Sequence, residues 1–191
     1  MTRMHIHNRN SRGNHRKGQS IVEAMIALAL LVTALIGIET LLARSFMLNR
    51  VTDDQTKATY LASEGIEITK SLIDNQTYAA SGGGWNAFCT NQIPALVAGG
   101  NETYQVDWTT VACPAPISVG NASPLWYDAS TGFYYQNPGS GRTETPFTRT
   151  VRITKSSDGN ELDVQSTITW STGTLTGQTL TLEDQFYNWR P

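Results

Sequence analysis

Glu23 is an acid set inside an apolar run. From Ile21 to Ile38 the chain reads IVEAMIALALLVTALIGI, and only Glu23 and Thr33 interrupt 18 residues that are otherwise apolar or small. An ionised carboxylate costs about 2.5–3.5 kcal/mol at the centre of a membrane helix, and less near its end, so such a residue calls for a partner. No basic residue lies between Lys17 and Arg44. The partner must come from the segment before the run or from another molecule.

Other chemistry is scarce. His5, His7 and His15 are the only histidines, and all fall within the first 18 residues. If that segment is removed, no imidazole remains for a Ser-His-Asp or Cys-His arrangement or for the commoner zinc sites. Cys89 and Cys113, the only cysteines, stand 24 residues apart in a region assigned outside the membrane, where one disulfide closing the loop is expected. Asp158 and Asn160 lack the regular ligand spacing of a calcium loop. They suit a hairpin turn instead, because Asp158-Gly159 is a pair that tolerates positive φ. Catalytic residues, metal ligands and cofactors are therefore all expected to be absent, and the chain is not read as an enzyme.

The elements that must position Glu23 follow from charge and hydropathy. The chain carries 14 Lys+Arg against 16 Asp+Glu for a net charge of -2. Arg3, Arg9, Arg12, Arg16 and Lys17 place five of those positive charges before the apolar run, leaving 9 basic against 16 acidic residues, a net -7, for the rest. An acidic remainder argues against direct nucleic-acid binding. The apolar run is long enough as a helix to cross most of a bilayer of about 30 Å, and basic residues on its amino-terminal side keep that side cytoplasmic. The remainder is then expected outside. A secretory signal peptide would need a small-residue cleavage site after the run. The only A-x-A match, Ala27-Leu28-Ala29, lies in its middle.

Beyond Ile38 the sequence is free of proline until Pro94 and stays helix-friendly to Asn75, which predicts a helix over 19–75 of about 85 Å at 1.5 Å per residue. Val51, Ala58, Leu61, Gly65, Ile68 and Leu72 form an apolar stripe on its second half, the half expected to lie on a sheet. Gly37 and Gly65 mark either a bend or a close approach. After the glycine break Ser81-Gly82-Gly83-Gly84, period-two alternation appears in Tyr104, Val106, Trp108, in Phe147, Val151, Ile153, and in Leu162, Val164, Ile168, Trp170. Thr174–Leu182 reads as a further strand, with Phe186-Tyr187-Asn188-Trp189 as a closing aromatic segment. Leu125-Trp126-Tyr127 and Phe133-Tyr134-Tyr135 read as an aromatic hairpin, either cross-strand packing or a sugar-binding or adhesive surface.

Lys17-Gly18-Gln19-Ser20-Ile21-Val22-Glu23 followed by AMIALALL resembles the amino terminus of type IV prepilins and type II secretion pseudopilins. The run FTRTVRITKSSDGNELDVQSTITW with the Asn-Trp tail also resembles the carboxy-terminal sheet of minor pilins. The resemblance implies cleavage between Gly18 and Gln19 by a prepilin peptidase, methylation of the Gln19 amine, and pairing of Glu23, the fifth mature residue, with the amine of a neighbouring subunit. Family members usually begin with an aromatic residue or Met, so Gln19 departs from the pattern at the methylation site. The organisation implied is a basic leader over 1–18, a long helix over 19–75 that is membrane-embedded in its first half, and an exported head over 76–191. The fold expected is α+β, the helix packed on a carboxy-terminal antiparallel sheet. The implied partners are other pilin subunits, the prepilin peptidase, an inner-membrane assembly platform and, before assembly, membrane lipid. The place expected is the cytoplasmic membrane with the head outside, then a pilus, secretion or competence filament. A membrane-tethered binding module with an aromatic loop surface is the alternative.

Overall fold

The structure, a computed structural model, describes residues 16–78, 84–90 and 96–189. The leader through His15 and the Ser81–Gly83 part of the glycine break lie outside the described residues, as does Pro94. The chain divides into two compact units, Met1–Asn49 and Arg50–Pro191.

One helix, α1 (Arg16–Tyr78, 63 residues), occupies the first unit and enters the second. Its length corresponds to about 95 Å. No proline interrupts it, and it continues unbroken through Gly37 and Gly65. It therefore outruns the expected 19–75 by three residues at each end.

Among the described residues, six strands make one antiparallel sheet: β1 (Asn101–Tyr104), β2 (Pro124–Asp128), β3 (Tyr134–Tyr135), β4 (Arg142–Lys155), β5 (Glu161–Thr172) and β6 (Leu175–Tyr187). The order is β3-β2-β4-β5-β6, and β1 pairs with the second half of β4. Ser156–Asn160 forms the β4–β5 turn, with Gly159 at φ 74° and the Asp158 carboxylate accepting from Asn160 N at 3.2 Å. β6 runs past Leu182 to Tyr187, so the aromatic tail begins inside the sheet rather than closing over it. Phe186 packs on the core and Trp189 is exposed. Pro146 lies within β4 without breaking the sheet. The β2–β4 register shifts between Pro124 and Trp126, a bulge opposite it, where a residue lacking an N–H is tolerated.

Alternation places Phe147, Arg149, Val151 and Ile153 of β4, and Leu162, Val164, Ser166, Ile168 and Trp170 of β5, on the inner face under α1. From α1, Ala58, Leu61, Ala62, Ile66, Thr69, Leu72 and Ile73 complete this core. Burying each large aliphatic side chain contributes about 1.5–3 kcal/mol. The core falls into two clusters: one around Leu72, Phe88, Tyr104 and Val164, the other around Leu61, Leu125, Phe147 and Trp170. Gly65, Arg149 and Ser166 meet between them, and a Cβ at Gly65 would overlap Ser166 Oγ and lie 3.1 Å from Arg149 Cδ. Of the two roles open to Gly65, close approach is the one it serves.

Candidate functional site

In the first unit every described side chain from Ser20 to Asn49 is exposed. Ile21, Met25, Leu28 and Leu31 stand 64%, 68%, 67% and 59% bare. A contiguous apolar surface of this size is stable only where lipid or protein excludes water. The best 18-residue window has a mean hydropathy of 2.6, so the helix is long and apolar enough to cross a membrane. Its two threonine hydroxyls are paired along the helix. Thr33 Oγ1 donates to Leu30 O at 2.9 Å and Thr40 Oγ1 to Gly37 O at 2.8 Å, so both threonine hydroxyls are satisfied within the helix.

Gly18 and Gln19 fall in the first turns of α1. Glu23 follows one turn later on the face it shares with Ile26, Ala27 and Leu30, three, four and seven residues on. Among the described residues Glu23 enters no ion pair. The only carboxylate held by a buried cation there is Glu64, 3.2 Å from Arg149 Nη1.

That arginine is the residue the sequence alone left unremarked. Arg149 is fully buried, donates from Nη1 to Leu61 O at 3.0 Å and from Nη2 to Val106 O at 2.8 Å, and so binds α1 and the segment after β1 to the sheet. Burial lowers its pKa, and the charges of Glu64 and Asp107 act against that. Its position between Phe147 and Val151 in a period-two strand was the available signal.

Cys89 and Cys113 form the expected disulfide. Gln76 of α1 accepts from Cys89 N at 3.3 Å, which fastens the bridge to the end of the helix. No group of three or more potential metal ligands lies among the described residues. Asp158 is occupied by the hydroxyl of Ser156 at 2.5 Å and by Asn160.

Trp108 departs from the expected strand. β1 ends at Tyr104, Val106 remains buried, and Asp107 starts a turn that puts Trp108 on the surface, 47% exposed. The Asp107 carboxylate accepts from Thr109 N, Thr109 Oγ1, Thr110 Oγ1 and Gln136 N at 3.0, 2.6, 3.2 and 3.0 Å. These local bonds replace the strand ladder. Burial pushes the Asp107 pKa up, but the hydrogen bonds together outweigh it and hold the carboxyl below its ordinary value. The aromatic hairpin forms as expected, with Trp126 opposite Tyr135 and Tyr127 opposite Tyr134, the latter rings 5.0 Å apart.

Comparison with known proteins finds no family model, no curated protein and no solved structure that matches this chain.

Proposed function

We propose that the chain is a pilin-like structural subunit, a minor pilin or pseudopilin. It would be processed after Gly18 and assembled through its amino-terminal helix into a type IV pilus or a related secretion or competence filament. The observation that carries this reading is the bare apolar surface of α1 from Ile21 onward, bearing one acid near its start, on a helix that continues as the spine of a folded head.

Before assembly that surface would lie in lipid, with the basic leader on the cytoplasmic side. After assembly, neighbouring helices would replace the lipid. Cleavage frees the Gln19 amine and removes the basic leader, and an ammonium meeting Glu23 of an adjacent subunit in a low-dielectric core would supply its charge partner. A mismatched register would leave both charges orphaned, so the pair would act on specificity more than on gross stability. Methylation of Gln19 would keep the amine cationic. The subunit's chemistry would be assembly, with peptidase and assembly platform as its processing partners.

Glu23→Ala tests the pairing. Expressed with the assembly machinery, the variant should be cut after Gly18 as efficiently as the wild type, while its recovery in sheared filaments falls about tenfold or more, the equivalent of about 1.4 kcal/mol. Normal recovery in filaments would remove the proposed role of Glu23.

The tethered binding module is the second reading. The exposed Trp108 and Phe133 favour it, and a filament subunit can carry such a surface as well.

A further inference from the structure

A cavity of about 480 Å³ opens on the second unit between α1 and the aromatic hairpin. Tyr60 on α1 and Trp108 and Phe133 opposite it are 73%, 47% and 48% exposed, and Tyr134, Lys57 and Glu64 are among the other lining residues. The volume lies within the range of about 300–1,000 Å³ typical of small-ligand sites.

Its aromatic wall is held rigid from behind. Trp108 sits on the turn fixed by Asp107, whose carboxylate also takes Gln136 N, just past β3. Gln136 Nε2 returns a bond to Val106 O at 2.9 Å. Trp108 packs on Phe133 at 5.0 Å between ring centroids and edge-on to Tyr135 at 5.7 Å, and Arg142 covers Tyr135 at 3.3 Å. An indole half-exposed to water yet fixed by this many contacts is a preorganised platform, because little side-chain freedom is left to lose when something stacks on it.

The polar groups select what stacks. Lys57 and Glu64 place one positive and one negative group in the same wall. Asp53 bonds Lys57 Nζ at 2.7 Å, and Arg149 holds Glu64. A cationic ligand would meet the Lys57 ammonium, and an anionic one the Glu64 carboxylate. Because Asp53 and Arg149 already neutralise these two charges, neither calls for a counter-ion, and what fits is an uncharged molecule with an apolar face for the rings and hydroxyls that donate to a carboxylate and accept from an ammonium. We infer that this cavity is a binding site for a neutral pyranose sugar, its C–H face on Trp108 and Phe133 and its hydroxyl edge toward Lys57 and Glu64. The inference stands on the head alone and does not rest on filament assembly.

The test titrates the full chain, held in a polyoxyethylene detergent without a sugar headgroup, with methyl glucoside, methyl galactoside, methyl mannoside and diacetylchitobiose, following tryptophan indole N–H resonances. At least one glycoside should shift the Trp108 resonance with a Kd of about 0.1–10 mM, and Phe133→Ala, followed by the same resonance, and Trp108→Ala, followed by saturation transfer to the sugar protons, should each weaken its binding about tenfold. Unmoved Trp85 and Trp170 resonances report that the variants remain folded, and Phe133→Ala stands alone if Trp108→Ala does not fold. Any one of three outcomes would overturn the assignment. These are no shift with any of the four sugars at about 100 mM, equal binding by the folded variants, or a shift of the same resonance by choline but by no sugar.

Discussion

Asp107 illustrates how one side chain decides between a strand and a site. It is 6% exposed, and its carboxylate takes four hydrogen bonds that turn the chain and display Trp108. Those bonds require the ionised form. Because its folded pKa lies below the ordinary 3.8, its stabilisation is complete above that value and is lost as the pH falls through the lower folded value. The Trp108 indole resonance should therefore show an acid transition below pH 3.8 that Asp107→Asn lacks. Tyr104 makes the opposite case. Its buried hydroxyl has no partner among the described residues, and burial first, with the Glu102 charge second, pushes its pKa up to about 12. Tyr104→Phe should leave thermal stability unchanged or raise it by up to about 1 kcal/mol. A loss beyond that would mean the hydroxyl is bonded. At this scale the alternation made Tyr104 and Val106 legible as inward, but it carried the strand on to Trp108. Period-two counting has no way to register a carboxylate that bonds its own turn. It also passed over Arg149, an inward position filled by a residue type ordinarily outside.

Among the elements, the junction of α1 with the sheet is set by the smallest residue in it. Gly65 lets the helix approach Ser166 and Arg149 closely, and Arg149 then reaches the Leu61 carbonyl. Gly65→Ala should cost about 1–3 kcal/mol through overpacking, although alanine is the better helix former. Chemical denaturation of the head measures it, and a stabilised variant would contradict the packing described. The helix was legible over nearly its whole length, since absence of proline and a stripe from Ala58 to Leu72 are strong, redundant signals. So were β4, β5 and their turn. In β6, Glu183, Asp184 and Gln185 break the apolar alternation of an edge strand, so the pattern stops at Leu182, and the backbone pairing with β5 carries the strand through to Tyr187.

At the scale of the whole molecule, the two units have opposite surfaces. The described part of Met1–Asn49 exposes apolar side chains throughout, and Arg50–Pro191 buries its own core. The helix of the first unit is long and apolar enough to cross a membrane. The apolar run was readable because a helix long and apolar enough to cross a membrane admits few exceptions to hydropathy. The aromatic cavity was only half readable, since it needs Tyr60 of α1 beside Trp108 and Phe133, and no linear pattern brings positions so far apart together. The most direct measurement is intact mass with amino-terminal sequencing of the full chain, expressed with a prepilin peptidase and recovered from membranes. The account predicts a mature start at Gln19, with or without one added methyl. A chain left uncut by active peptidase, or one cut beyond Ile38, would contradict it.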